Sequence, residues 1–132
     1  MAAIIHFDIP AENAERAQKF YQEVFDWKIE KLLGPMPYWL IETRDLTGEK
    51  SIGGGMSLRE STDAPGIINF IGVESLEQSV QRVEKMGGKI IQPIQSVPGW
   101  GRLVVCLDSE QNKIGLFEEH KSSINNDLVK SL

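Results

Sequence analysis

The chain repeats one short apolar motif about halfway along its length. IIHF at residues 4–7 returns as IINF at residues 67–70, an offset of 63 residues. Each copy is followed by a helix pattern, with apolar residues every three or four positions, and then by three runs typical of strands. KI at residues 28–29 returns at residues 89–90, an offset of 61, which fits a shorter connection before the second helix. The sequence therefore predicts two modules of the order strand, helix, strand, strand, strand.

The first module is predicted to contain four strands and one helix. Alternation of side chains indicates a strand over residues 3–9 that ends at Pro10, with His6 and Asp8 on one face. Helical spacing predicts a helix that starts at Asn13 or Glu12 and runs to about Phe25. Three glycines lie inside the last strand and indicate a close backbone approach or a bulge, not a phosphate loop. The other strands are expected at residues 27–33, 38–43 and 51–58.

The second module follows a polar stretch at residues 59–66, the best internal boundary in the chain. Ser75 is predicted to cap a helix that runs to about Met86, and two glycines end it. Strands are expected at residues 67–73, 89–94, 101–107 and 113–119. We therefore expect a single domain over residues 1–119, with module one at 1–60, module two at 66–119 and a loose or weakly helical tail at 120–132.

Composition excludes several classes of protein. A chain of 132 residues that is 41% hydrophobic is long enough for one domain with a core. A net charge of −5 and scattered basic residues argue against a nucleic-acid partner. The single cysteine, Cys106, lies in an apolar run and is expected to be buried, and its solitary state fits a reducing compartment. Without a signal-peptide pattern or an apolar stretch of about 20 residues, the protein is expected to be cytoplasmic, with no membrane partner.

Five motifs, taken in order, resemble those of the vicinal oxygen chelate superfamily of glyoxalases, bleomycin-resistance proteins and dioxygenases. They are HFDIP at 6–10, AQKFYQEVFDW at 17–27, IGGGM at 52–56, VEKMGGK at 83–89 and DSEQNKIGLFE at 108–118. Within that superfamily the chain is similar to short bacterial glyoxalase-like proteins. The resemblance implies an α+β fold in which two βαβββ modules form a curled-sheet cup around the site. It also implies a homodimer.

The resemblance further implies a divalent metal ion, such as Zn, Ni, Mn or Fe, held by the first and last strands of each module. His6 and Glu118 match such positions, and an imidazole and a carboxylate both suit a divalent ion. Asn69 stands where the second copy would repeat His6, and aligning residues 52–53 with 114–115 places Met56 opposite Glu118. An amide is a weak ligand and a thioether a poor one, whereas catalytic zinc usually keeps about three protein ligands. The residues therefore favour absence of the metal.

His6 and Glu118 are also candidates for proton transfer without a metal. The simpler interpretation of His6 is a half-buried histidine that is hydrogen-bonded inside the cup. Asp8 is expected to orient His6, to lie at the rim of the cup or to face water. Aromatic residues in such a chain mostly fill the core, and an arginine is most often an ordinary surface charge. The remaining candidate ligand contacts are Met56, Asn69, Trp39, Trp100 and Arg102.

Two functions remain open at this point. The first is a glyoxalase-like protein that binds a small molecule in the cup, as a metal-assisted lyase or isomerase with His6 and Glu118 at its centre. The alternative is a metal-free small-molecule or drug-binding protein of the bleomycin-resistance type, without catalysis. The retained His6 and Glu118 favour the first function, while Met56 and Asn69 favour the second. No glutathione contact set is recognisable, and the sequence names no substrate.

Overall fold

A computed structural model describes residues 1–59 and 66–120 of the chain. Within these residues, strands and helices follow the order β-α-β-β-β twice. The described residues divide into two compact units, one within residues 4–69 and the other within residues 70–120 together with residues 1–3. Most of the expected linker and the expected tail beyond His120 lie outside the described residues. The fold class is α+β with two βαβββ modules, as the repeat predicts.

Module one is a four-stranded sheet that carries one helix. Its elements are β1 (Ile4–Ala11), α1 (Ala14–Phe25), β2 (Lys28–Lys31), β3 (Tyr38–Glu42) and β4 (Gly53–Leu58). The strands lie in the order β2-β3-β4-β1. β1 is parallel to β4, and the other neighbours are antiparallel. β4 therefore lies between β1 and β3, which places side chains from all three strands next to one another.

The core of module one lies on the side of the sheet that carries α1. Its buried residues are Ile9, Ala11, Ala14, Ile29, Trp39, Ile41 and Met56, and Phe7, Ala17, Tyr21 and Trp27 pack against them. Because successive strand residues point to opposite faces, the residues between these positions face away from α1. This puts His6 and Asp8 of β1 and Tyr38 of β3 on the face opposite α1.

Module two repeats the same arrangement. Its elements are β5 (Ile68–Gly72), α2 (Leu76–Lys85), β6 (Lys89–Val97), β7 (Gly101–Leu107) and β8 (Lys113–Glu119). Its strands lie in the order β5-β8-β7-β6, with β5 parallel to β8. Leu76, Val104, Cys106 and Leu116 form its buried core beside α2. The burial expected for Cys106 is confirmed, since its side chain has no exposed surface.

Both helices begin at side-chain caps. The Asn13 side chain accepts a hydrogen bond from Arg16 N at 3.0 Å, and the Ser75 hydroxyl accepts one from Gln78 N at 3.3 Å. These bonds satisfy N–H groups that have no partner within the first helical turn. The cap predicted at Ser75 is confirmed, and of the two predicted starts of α1, Asn13 or Glu12, the structure has Asn13 as the cap. Neither helix, within the described part of the chain, is long and apolar enough to cross a membrane.

Two strand boundaries differ from the prediction. Pro10 does not end β1, which continues to Ala11, whose carbonyl accepts a hydrogen bond from Arg59 N at 2.8 Å. The backbone angle that proline fixes suits an extended strand, and only its missing N–H is lost. β6 is longer than expected and reaches Val97, because the turn that follows it, closed by Trp100 N donating to Val97 O, returns the chain directly into β7.

Candidate functional site

Three polar side chains form a cluster on the face of module one opposite α1. The Tyr38 hydroxyl donates to Asp8 Oδ1 at 2.6 Å. His6 Nε2 lies 3.1 Å from the same carboxylate oxygen and 3.0 Å from Tyr38 Oη. The His6 and Asp8 side chains are 32% and 30% exposed. This His6–Asp8–Tyr38 cluster is therefore ordered by mutual hydrogen bonds and still reachable from solvent.

The hydrogen-bond roles in the cluster follow from the number of protons available. An ionised carboxylate only accepts, and a phenol has a single proton. Because Tyr38 gives its proton to Asp8, His6 Nε2 must carry a hydrogen to interact favourably with either neighbour. Burial raises the pKa of Tyr38, and the adjacent Asp8 carboxylate raises it further. Tyr38 is therefore a hydrogen-bond donor in this cluster, not a base.

Glycine at position 55 allows the cluster to form. Gly55 of β4 pairs with Asp8 on one side and with Leu40 on the other, so it lies between the two strands that the Tyr38 ring must span. A side chain at Gly55 would collide with the Tyr38 phenol. Its neighbour Gly54 similarly makes room for the Phe7 ring. The close approach predicted for the glycine run is confirmed at both positions.

Glu118 is held by its own module. Its Oε2 accepts a hydrogen bond from Leu76 N, at the start of α2, at 2.8 Å. Its Oε1 accepts one from Arg102 Nη2 at 2.7 Å, and Arg102 also pairs with Glu77 at 2.7 Å. The Leu76 N–H, and after it the Arg102 guanidinium, hold the pKa of Glu118 below its usual range. Glu118 thus ties the start of α2 to β7 and β8.

The side chain of Glu118 lies on the α2 side of β8, as does that of Leu116 in the buried core. On the opposite side β8 presents Gly115 and Phe117, and the Phe70 ring lies against Gly115. That side of β8 therefore offers no imidazole, and the carboxylate it carries is that of Glu119 at the exposed end of the strand. Since His6 and Glu118 belong to different modules, their predicted pairing stays a prediction.

The modules correspond in a register different from the one that the repeated motif suggests. The helix caps Asn13 and Ser75 are 62 residues apart. An offset of 62 makes Ile9 and Ile71 counterparts, and each of them packs on the side of its sheet that carries the helix. The motif offset of 63 would instead match Ile9 with Gly72. A shift of one residue moves a side chain to the other face of a strand. Asn69 therefore shares the α2 side of β5 with Ile71, and it is not the counterpart of His6.

The other predicted ligand contacts lie in different surroundings. Met56 and Trp39 are neighbours in the α1-side core, 0% and 7% exposed. Trp100 is 56% exposed in the turn between β6 and β7. The Arg102 guanidinium is occupied by Glu77 and Glu118. Of that predicted set, only Asp8 joins His6. Tyr38 is an aromatic candidate for a ligand wall from the sequence, and the signal for its face is its alternation with Trp39 beside a strand rich in glycine.

The residues do not fit the divalent-metal site that the resemblance implies. Within residues 1–59 and 66–120, no three His, Cys, Asp or Glu side chains are grouped so that they could hold a metal ion. Both carboxylate oxygens of Glu118 accept N–H donors, and the Arg102 guanidinium beside them disfavours a second cation. The Nε2 atom of His6 is engaged with Asp8 and Tyr38. The donor set therefore supports no chemistry through a metal.

Comparison with known proteins places this geometry in context. Residues 3–116 match the family model described as the Glyoxalase/Bleomycin resistance protein/Dioxygenase superfamily. A glyoxylase-like domain-containing protein of Didymella fabae is 32% identical over 92 residues, which cover 68% of this chain and 72% of that protein.

Two solved structures share the fold. A hypothetical protein from Bacillus halodurans C-125 has a TM-score of 0.67 and 14% identity over 91% of this chain and 96% of its own. A glyoxalase/bleomycin resistance protein/dioxygenase superfamily member from Vibrio splendidus 12B01 has a TM-score of 0.63 and 11% identity over 90% of this chain and 98% of its own. At these identities the likeness concerns the fold alone.

Proposed function

Because the chain belongs to the Glyoxalase/Bleomycin resistance protein/Dioxygenase superfamily, we propose that it binds a small molecule without a metal ion, at the His6–Asp8–Tyr38 cluster. Members of this superfamily bind small molecules. Of the two functions that the sequence leaves open, this is the metal-free binding protein. It places the ligand on the face of module one opposite α1.

The observation that carries the proposal is the cluster itself. Three polar side chains are brought together on the face that the core of module one does not use, with two of them about one third exposed. Ligand sites typically combine a few polar groups, fixed in orientation, with surrounding apolar surface. Here each of the three groups orients the other two, so a ligand would meet them already in place.

A lyase or isomerase centred on His6 and Glu118 receives less support. Proton transfer would need Glu118 to give up hydrogen bonds to Leu76 N and Arg102, both of which stabilise the ionised carboxylate. Its lowered pKa makes it a weak base and keeps it ionised at neutral pH, so it holds no proton that it could donate as a general acid. We therefore assign Glu118 a role in holding α2.

The test combines metal analysis with a fragment screen. Protein purified without chelator or a nickel column should contain far less than one equivalent of metal, even after incubation with Zn²⁺, Ni²⁺ or Mn²⁺. Fragments that bind should shift the His6 ring signals in NMR spectra, and EDTA should leave their affinity unchanged. Stoichiometric metal that is required for binding would contradict the proposal.

A set of variants locates the site. Tyr38→Phe and His6→Ala should each weaken the binding of the fragments found in the screen. Glu119→Gln, at an exposed position at the end of β8, serves as a control and should bind as the wild type does. If both cluster variants keep wild-type affinity for every fragment, the ligand binds elsewhere.

A further inference from the structure

We infer that the ligand carries an N–H-bearing cation, a primary ammonium or guanidinium group, that donates to Asp8 Oδ2. This assignment rests on the proposed function and adds the chemical class of the ligand. It follows from which hydrogen-bonding positions of the cluster are taken and which charges on this face are already balanced.

The two oxygens of Asp8 are used unequally. Oδ1 accepts from the Tyr38 hydroxyl at 2.6 Å and lies 3.1 Å from His6 Nε2. Oδ2 accepts no hydrogen bond from any described residue. A partly buried carboxylate oxygen gains free energy from a donor, and the gain is largest when the donor is charged. Since the Asp8 side chain is 30% exposed, a ligand N–H can supply that donor.

The charge on this face also favours a cation. Its other carboxylates have basic partners at 3.4–3.5 Å, in the pairs Lys28–Glu30, Arg44–Glu42 and Lys50–Glu42. Among the residues that the structure describes, the ion-pair partner of Asp8 is His6, which is charged only when protonated. Asp8 therefore presents negative charge that no lysine or arginine in the described chain balances. An anionic ligand would be repelled by it, and a cationic one attracted.

Tyr38 suits such a ligand in a second way. Its hydroxyl donates to Asp8, so a ligand beside the carboxylate would contact the Tyr38 ring. A cation near an aromatic ring, within about 6 Å of its centre, is attracted to the ring face. On β4 the residue paired with His6 is Gly53, so no β4 side chain stands beside the imidazole on this face. An organic cation with a small apolar body fits these surroundings.

Three probes that differ mainly in charge test the assignment: benzylamine, benzyl alcohol and benzoate. Their affinities for the full chain are measured by ligand-observed NMR near neutral pH. Benzylamine should bind most tightly and benzoate most weakly, and benzylamine affinity should fall as NaCl is added. Asp8→Asn should weaken benzylamine binding by about tenfold, the effect expected when a charge-assisted hydrogen bond becomes a neutral one. Glu23→Gln, which removes the same charge from the exposed side of α1, should leave it unchanged.

Several outcomes would overturn the assignment. Benzyl alcohol or benzoate could bind as tightly as benzylamine. The affinity for benzylamine could be independent of the NaCl concentration. A folded Asp8→Asn protein could bind benzylamine with wild-type affinity. In each of these cases fragments that still shift His6 would leave the proposed function standing. If no fragment of any charge shifts His6, the proposed function itself fails. Should Asp8→Asn not fold, Asp8→Glu replaces it and must keep the preference for the amine over the alcohol.

Discussion

The Tyr38 ring crosses directly over Gly55 to place its hydroxyl 2.6 Å from Asp8 Oδ1. Tyr38 and Gly55 are on the neighbouring strands β3 and β4, and the glycine leaves the space that the phenol occupies. One backbone position without a side chain thus decides whether a tyrosine of β3 can reach a carboxylate of β1. The cluster depends on this pair as much as on its own three members.

Gly55→Ala should break the cluster. The added methyl group would occupy the place of the phenol, so Tyr38 would have to move and its bond to Asp8 would be lost. Such overpacking costs about 1–3 kcal/mol of unfolding free energy, measured by urea unfolding. Gly66→Ala is the matched control, because a side chain there meets nothing within 4 Å. A Gly55→Ala protein as stable as Gly66→Ala would show that the ring does not need this space.

Tyr38→Phe should lower stability by about 1 kcal/mol at neutral pH, since one hydrogen bond to a carboxylate is removed. The variant should also change the response to alkali. The pKa of Tyr38 is raised in the folded protein, so the unfolded chain releases that proton first, and stability falls as pH rises above about 10. The urea midpoints of the wild type and of Tyr38→Phe should therefore converge at alkaline pH. A gap that is constant from neutral to strongly alkaline pH would argue against a buried, protonated Tyr38.

Glu118→Gln should destabilise module two by about 1–2 kcal/mol, because the ion pair with Arg102 is lost while the amide can still accept from Leu76 N. The pKa of Glu118 is lowered on folding, so its contribution is present above its ordinary value of 4.5 and disappears as pH falls through the lower folded value. Comparing urea midpoints of variant and wild type at neutral and acidic pH measures this loss. Glu119→Gln should be within about 0.5 kcal/mol of wild type at every pH.

Cys106 should be unreactive in the folded protein. Its side chain has no exposed surface, and burial, followed by the charge of Asp108, raises the pKa of the thiol, so little of the reactive thiolate forms. Ellman's reagent should modify Cys106 only after urea unfolding, with one thiol per chain as the end point. Rapid labelling in buffer alone would mean that the β7 core opens readily.

Periodicity and caps predicted most of the fold. The strands β7 and β8 have the predicted bounds, and both helices start at the predicted caps. These elements depend on contacts between residues close in the sequence, or on a side-chain pattern that shows directly which face is buried. The end of β1 was misplaced because proline ends a helix more strictly than it ends a strand.

The site was predicted less well. His6 and Asp8 follow from alternation on one strand, but the donor that joins them comes from Tyr38, 30 residues after Asp8 in the chain. The repeat also gave the wrong counterpart for His6, because two unequal copies can be aligned with a one-residue error that leaves their apolar pattern almost unchanged. In a strand that error exchanges the two faces, and so it exchanges core with site.

The sequence by itself determined the doubled βαβββ order, the α+β class and the two apolar helix sides, since these depend on local periodicity. Only the tertiary structure decided what the polar residues do. It turned Glu118 toward α2 and Arg102, and it brought Tyr38 across a glycine to Asp8. The reason is physical: a side chain acquires its role from the strand beside it and the face it occupies, and neither is fixed until strands distant in sequence pair.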